Sequence, residues 1–114
     1  MKPFTFAAFV NEPEFSARLA TTCDNQGYGL QFPEKIEDIE NANCVLIDLN
    51  DKQLSPFKLG KSLQSVSVTT FGLVNRLNKT HQKKANEAGF NLVFPKSLFC
   101  KNLNTIVKQV QNAR

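Results

Sequence analysis

Six polar residues lie just after short apolar runs that could be strands, and they are the first candidates for chemistry. They are Asn11, Glu12, Asp48, Asn50, Asn75 and Lys96. In parallel α/β sheets, ligands and reactive groups sit at the carboxyl ends of the strands. Two carboxylates and a lysine at such a place could form an ion pair or hold a cation. In the plainer interpretation, Asp48 caps the next loop, Glu12 is a first-turn helix acid and Lys96 is a surface lysine.

Several familiar sites are excluded by residue type and spacing. The single histidine, His81, cannot build a multi-histidine metal site and is predicted to be partly exposed and non-catalytic. Cys23, Cys44 and Cys100 fit neither a zinc knuckle nor a Cys-x-x-Cys redox pair. They are predicted to be reduced, mostly buried thiols. The glycines form neither a Gly-x-Gly-x-x-Gly nor a Walker phosphate loop.

Five β–α repeats must position the candidate residues. Apolar or Val/Thr-rich runs predict strands at 5–10, 30–32, 44–47, 66–74 and 91–94. Helical spacing predicts a first helix with Asn11 as its cap, a short helix over 34–40, and a third from Ser55. A fourth covers 79–88 with Asn78 as its cap, and a last one carries the apolar residues from 98 to 110. This alternation predicts an α/β fold: a doubly wound parallel sheet covered on both faces.

The length and charge of the chain limit its domain number, its location and the kind of partner that it can have. The chain of 114 residues, 41% hydrophobic, is predicted to be one domain over 1–114 without an output domain. The sequence contains no apolar stretch of the roughly 18 residues that a membrane span needs. It also shows no secretory leader, so we expect a cytoplasmic protein. Residues 1–51 carry three Lys or Arg against nine carboxylates, and residues 52–114 carry eleven against Glu87. This asymmetry indicates a charged partner.

Three stretches together resemble the receiver domains of bacterial two-component response regulators. They are FVNEPE at 9–14, VLIDLN at 45–50 and EAGFNLVFPK at 87–96, with Lys96 seven residues after Gly89. The resemblance implies a flavodoxin-like sheet with strand order 2-1-3-4-5 and a role in phosphorelay signal transduction. It also implies site roles. Asp48 would be the phosphoacceptor, Lys96 would contact the phosphoryl group, and Asn75 would stand at the switch position. Glu12, Asp48 and Asn50 would form a weak Mg²⁺ site.

The sequence departs from the family pattern at four places. The positions of the acidic pair hold Val10 and Asn11, and the switch hydroxyl is replaced by Val74 or Asn75. The loop after Asp48 lacks the family's Met-Pro. Lys96 is followed by Ser97, and because a cis Lys-Ser bond costs about 2.5–4 kcal/mol, we expect a trans bond and a shifted lysine. These departures predict a degenerate pseudo-receiver, with no cofactor beyond a weakly bound Mg²⁺.

Six basic residues are candidates for a docking face on the fourth and last predicted helices. They are Arg76, Lys79, Lys83, Lys84, Lys101 and Lys108. In the plainer interpretation, they form a solvated helix surface. As a docking face they would suit a protein partner, such as a histidine kinase or another signalling protein, or a homodimer through these two helices. Nucleic acid is disfavoured because no aromatics are interleaved and no helix-turn-helix is present.

The leading hypothesis is a stand-alone receiver-like signalling module that acts through protein–protein interaction and is not an enzyme. One alternative is a functional response regulator with Asp48 as phosphoacceptor. A second alternative is a nucleic-acid-binding module that uses the basic C-terminal half.

Overall fold

A single five-stranded parallel sheet forms the centre of the protein. The computed structural model describes residues 3–112. The strands are β1 (Thr5–Phe9), β2 (Gly29–Gln31), β3 (Cys44–Asp48), β4 (Thr69–Val74) and β5 (Leu92–Pro95). All neighbours pair in parallel, in the order β2-β1-β3-β4-β5. Every residue of β3 is buried, as expected for an apolar strand covered on both faces. The predicted fold class and strand order are confirmed.

Five helices and three short 3-10 turns connect the strands. The helices are α1 (Pro13–Gln26), α2 (Pro56–Leu63), α3 (Lys79–Glu87), α4 (Lys96–Lys101) and α5 (Leu103–Asn112). The 3-10 turns are Ile36–Asp38, Lys52–Leu54 and Gln64–Val66. Gly27, with a φ of 78°, ends α1 in a left-handed conformation that favours glycine. No helix within residues 3–112 is both long and apolar enough to cross a bilayer.

Two separate apolar clusters cover the two faces of the sheet. One joins α1, α4 and α5 to the sheet and includes Phe15, Leu19, Phe99 and Ile106. The other joins α2 and α3 to the opposite face. We call these sides the α1/α5 layer and the α2/α3 layer. The 3-10 turn at Ile36–Asp38 belongs to the α2/α3 layer because its neighbouring apolar side chains pack against that cluster.

The predicted helix over 34–40 is wrong in type, since only Ile36–Asp38 is wound, as a 3-10 turn. The Gln31 side chain binds both the backbone N–H and the carbonyl of Glu40. Asn41 then takes a positive φ of 51°. These local bonds hold the segment in an irregular path beside β2, where a longer helix would need the Glu40 backbone for itself.

Three further boundaries differ from the sequence-based prediction. The predicted last helix is two helices, broken at Asn102, whose side-chain amide donates to the Leu98 carbonyl. The fourth strand begins at Thr69 rather than at Val66, because a 3-10 turn precedes it. Glu12, not Asn11, is the N-cap of α1, and its side chain makes no capping bond. Asn78 caps α3 as predicted, accepting from the His81 N–H.

Candidate functional site

A cleft of about 500 Å³ opens at the carboxyl ends of β1, β3, β4 and β5. Its lining includes the six polar residues that the sequence singles out, together with three from the loop after β3. The lining residues are Asn11, Glu12, Asp48, Asn50, Asp51, Lys52, Gln53, Asn75 and Lys96. The alternation of strands and helices accounts for this convergence, because parallel strands bring all their carboxyl ends to one edge of the sheet.

Asp48 is the buried carboxylate of this cleft. It is the last residue of β3, and only 4% of it is exposed. Its Oδ2 atom accepts a hydrogen bond from Lys96 Nζ at 2.8 Å, and its Oδ1 atom accepts from the Asn50 N–H at 2.9 Å. Both oxygens therefore have a protein partner, one of them cationic. A buried carboxylate needs such partners because desolvation of an unpaired charge is costly.

Lys96 is the buried cation opposite Asp48. It begins α4 directly after β5 and is 6% exposed. Its Nζ atom lies 2.8 Å from Asp48 Oδ2 and 3.3 Å from Glu12 Oε2. The same atom lies 5.8 Å from the centre of the Phe15 ring, a cation–π contact that the sequence analysis missed. Its only sequence signal was the place of Phe15 on the apolar side of α1, together with Leu19 and Cys23.

The Lys96–Ser97 peptide bond is trans, as predicted, and residues 3–112 contain no cis peptide bond. A trans bond was expected to shift Lys96, but its Nζ atom still reaches Asp48. The predicted strand-end ion pair is therefore present in the cleft. Glu12 completes it from the solvent side, where 46% of its side chain is exposed. One lysine thus bridges a buried carboxylate and a half-exposed one.

Two asparagines tie the loops around the cleft together. Asn50 Oδ1 accepts from the backbone N–H of Asn75 at 2.7 Å, which links the ends of β3 and β4. Asn11 Nδ2 donates to Asp51 Oδ2 at 2.9 Å, which links the end of β1 to the loop after β3. Asp51 was not among the predicted site residues. Its proximity to Asn11 follows from loop geometry, which residue spacing does not encode.

The sequence matches no protein-family model and no curated protein. Solved structures do match. The receiver domain of the TMAO respiratory system response regulator TorR is 20% identical over 96% of this chain and 97% of that one, with a TM-score of 0.82. A CheY-like receiver domain protein from Methanospirillum hungatei JF-1 is 12% identical over 97% and 96%, with a TM-score of 0.81. The CheY-like protein tadZ from Pseudomonas aeruginosa PAO1 is 16% identical over 94% and 98%, with a TM-score of 0.78. The chain has the receiver-domain fold of response regulators.

The receiver fold implies a Mg²⁺ ion in this cleft. The side chains that line the cleft can be compared with the ligands that Mg²⁺ requires. Among residues 3–112, no three side chains of His, Cys, Asp or Glu converge as a metal site. Glu12 and Asp48 both face the Lys96 ammonium, and Asn11 uses its amide to donate to Asp51. Mg²⁺ needs oxygen ligands in near-octahedral geometry. As arranged here, this donor set does not fit a divalent cation, which would have to compete with Lys96 for both carboxylates.

The switch position of the receiver fold carries no hydroxyl here. Val74 ends β4 and is fully buried, and Asn75 follows at the cleft. The Asn75 N–H is already bonded to Asn50. The loop that a hydroxyl would draw toward a phosphoryl group is thus fixed by a neutral internal hydrogen bond.

The six basic candidates do not share one face of the receiver fold. Arg76, Lys79, Lys83 and Lys84 belong to the α2/α3 layer, and Lys101 and Lys108 lie on α4 and α5 across the sheet. All six are exposed. Lys84 is turned inward along its layer, with its Nζ atom 5.9 Å from the centre of the Phe57 ring.

The remaining candidates have structural roles in the fold. The three cysteines form no disulfide, and Cys23 and Cys44 are buried as predicted. Burial raises the pKa of the Cys23 thiol from 9.0 to about 11, and burial also raises the pKa of Cys100. Thiols held protonated in this way are poor nucleophiles. His81 is partly exposed, and its Nδ1 atom lies 2.8 Å from Asn78 Nδ2 at the start of α3.

Proposed function

We propose that this chain is a receiver-fold signalling module that acts through contacts with other proteins and is not switched by phosphorylation of Asp48. The observation that carries the proposal is the ion pair of Lys96 with Asp48 and Glu12. In this arrangement, a protein cation occupies the position between the two carboxylates. Lys96 therefore compensates the charge of Asp48 from within the protein, which weakens the attraction of Asp48 for an incoming cation.

The fixed loop after β4 supports the same proposal. Switching in a receiver requires a group near Asp48 that binds the phosphoryl oxygens and moves with them. Here the side chains at that point are a buried valine and an asparagine whose backbone is bonded to Asn50. A ligand shifts a conformational equilibrium only by its differential affinity for the two states. No hydroxyl is present here to form a new hydrogen bond to a phosphoryl group. We therefore expect a phosphoryl group to favour one conformation of the loop over the other only slightly.

Beryllofluoride, which mimics a phosphoryl group on aspartate, gives the direct test. We expect amide NMR signals of the cleft to stay unchanged when beryllofluoride and Mg²⁺ are added together. Asp48→Asn is the matched control, because it removes the attachment point and keeps the size of the side chain. Changes in the signals of Asn50, Asn75 and Lys96 that vanish in Asp48→Asn would overturn the proposal.

A second candidate, a phosphoacceptor role for Asp48, is favoured by one observation. Asp48 ends the central strand beside a lysine and lines the open cleft. With acetyl phosphate as donor, an Asp48 oxygen would form a bond to phosphorus as the bond to the acetate oxygen breaks. The products would be an aspartyl phosphate and acetate. Intact-mass measurement after incubation with acetyl phosphate would detect this product, and Asp48→Asn would abolish it.

A further inference from the structure

The two edges of the sheet carry opposite and unpaired charge. At the β2 end, four exposed carboxylates form what we call the acidic edge: Glu34, Glu37, Asp38 and Glu40. Lys35 is the one cation among them. At the β5 end, three exposed cations form the basic edge: Arg76, Lys79 and Lys83. Both ion pairs found within residues 3–112 belong to Lys96, so neither edge is neutralised by a salt bridge in the described chain.

The acidic edge is held in a defined conformation. Ile36 and Ile39 pack against the α2/α3 cluster, which turns the carboxylates between them toward solvent. The Gln31 side chain donates from its amide nitrogen to the Glu40 carbonyl and accepts from the Glu40 N–H with its amide oxygen. The segment therefore presents its charge without a large loss of conformational entropy on binding.

The basic edge is a regular helix face beside the last strand. Gln82 and Asn86 of α3 line a groove against β5. Lys79 and Lys83 are both exposed and four residues apart, so they form a row along one side of the helix, next to the groove-lining residues three positions further on. This face lies at the end of the strand order opposite to β2.

The two edges are too far apart to neutralise each other within one molecule. Five strands at about 4.8 Å spacing separate the β2 and β5 edges by about 19 Å. The Debye length at physiological ionic strength is about 8 Å, so attraction across the sheet is largely screened. Each edge can gain a close opposite charge only from another molecule.

We propose that the occupant of the basic edge is the acidic edge of a second copy of this chain. The charges are complementary, and both edge strands are short, with three residues in β2 and four in β5. Short edge strands offer little backbone pairing, so side-chain charge directs the contact. A two-fold contact through α3 would instead set Lys79 and Lys83 against their own copies, and such like-charge contacts are costly.

Association of one edge with the opposite edge is heterologous, so an open assembly keeps a free acidic edge at one end and a free basic edge at the other. Such contacts build rings or open chains of copies. This inference rests on the proposed function in one respect, that the module acts through contacts with proteins. The beryllofluoride titration reports on Asp48 alone, so the two proposals can fail separately.

Sedimentation velocity of the full chain tests the inference through its dependence on salt and concentration. At about 0.01 M salt, where the Debye length is about 30 Å, we expect species larger than a dimer that grow with protein concentration. At about 1 M salt we expect monomers, because the Debye length falls to about 3 Å. A monomer at every concentration in low salt, or growth that stops at a dimer, would overturn the inference.

Two neutralised variants locate the contact. Glu34→Gln/Glu37→Gln/Asp38→Asn neutralises three of the four carboxylates of the acidic edge, and Arg76→Gln/Lys79→Gln/Lys83→Gln neutralises all three cations of the basic edge. Each variant alone is expected to associate at least about tenfold more weakly than the wild type. An equimolar mixture retains one intact edge of each kind, so it should form a one-to-one dimer and nothing larger. A mixture that stays monomeric would contradict the head-to-tail arrangement.

Matched controls distinguish a specific contact from general charge. Lys101→Gln/Lys108→Gln and Glu14→Gln/Asp24→Asn remove exposed charges of the same types from the α1/α5 layer. Both are expected to associate like the wild type, and an equal loss in either would overturn the assignment of the edges. Duplex DNA is the remaining probe. Salt-sensitive DNA retardation by the wild type that is lost on neutralising the basic edge would assign that edge to nucleic acid instead.

Discussion

Charge is organised in opposite ways in the cleft and at the edges of the sheet. In the cleft, Asp48 and Lys96 are buried and lie 2.8 Å apart. At the acidic and basic edges, charged side chains are exposed and form no ion pair within residues 3–112. Burial explains the difference, because a charge removed from water needs a partner and an exposed one does not. The buried charges of the cleft therefore balance each other, whereas the exposed charges of the edges remain available for another molecule.

The largest effect should follow from breaking the buried pair. Lys96→Met keeps an unbranched side chain that is one atom shorter and removes its charge, which leaves the Asp48 carboxylate buried without a cation. We expect the free energy of unfolding to fall by about 3–5 kcal/mol. Urea denaturation followed by circular dichroism would measure it.

Two companion variants show whether the loss comes from the unpaired charge. Lys101→Met lies on the same helix at an exposed position, and its effect should stay within about 0.5 kcal/mol. Asp48→Asn added to Lys96→Met removes the stranded charge, so the double variant should be more stable than Lys96→Met alone. A loss that Asp48→Asn fails to relieve would mean that packing against Phe15, not charge pairing, explains the effect.

The bond between the two asparagines should contribute less, because it is neutral and lies at the cleft surface. Asn50→Ala removes the acceptor of the Asn75 N–H. We expect a loss of about 0.5–1.5 kcal/mol and faster hydrogen exchange of the Asn75 amide. Asn50→Asp keeps an acceptor oxygen in place and should preserve the slow exchange. If the Asn75 amide exchanges equally fast in all three proteins, this bond does not fix the loop.

Most of the fold follows from sequence because its signals are local and repeated. The apolar run at 44–47 predicts β3, and Asn78 predicts the start of α3. The helix prediction for 34–40 fails because the conformation of this segment depends on the contact between Gln31 and Glu40. Hydrophobic spacing reports which side chains turn inward, and Ile36 and Ile39 do so. It does not report whether a neighbouring side chain competes for the backbone.

The sequence predicts which residues line the cleft better than it predicts the contacts that they make with one another. Strand ends place Asp48 and Lys96 together in any parallel sheet of this order. The contribution of Phe15 and the Asn11–Asp51 bond depend on helix orientation and loop path. The sequence places the six basic residues on two helices, and only the topology separates them onto opposite sides of the sheet. Sequence reasoning found the charges, and the fold determines which of them meet.

Glu12 gives a comparison within the cleft itself, since it shares Lys96 with Asp48 but is half exposed. Glu12→Gln should lower the free energy of unfolding by only about 0.2–1 kcal/mol, because water already screens this pair. The effect should shrink at high salt. Glu14→Gln, an exposed first-turn acid of the same helix, is the matched control for the interaction with the helix dipole. If Glu12→Gln lowers the free energy of unfolding as much as Lys96→Met does, then solvent exposure does not explain a difference in strength between the Glu12–Lys96 and Asp48–Lys96 pairs.

An effect of similar small size but of the opposite sign is expected at the basic edge. Lys79 begins α3, where a positive charge opposes the helix dipole, and Lys83 is a like charge four residues away. Lys79→Gln should therefore raise the free energy of unfolding by about 0.3–1 kcal/mol, measured on monomers at low protein concentration. Lys84→Gln is the control, because Lys84 lies in the last turn and contacts the Phe57 ring, so its loss should destabilise. If Lys79→Gln also destabilises, the basic edge is already paired within the molecule, and its charges are not free for a second copy.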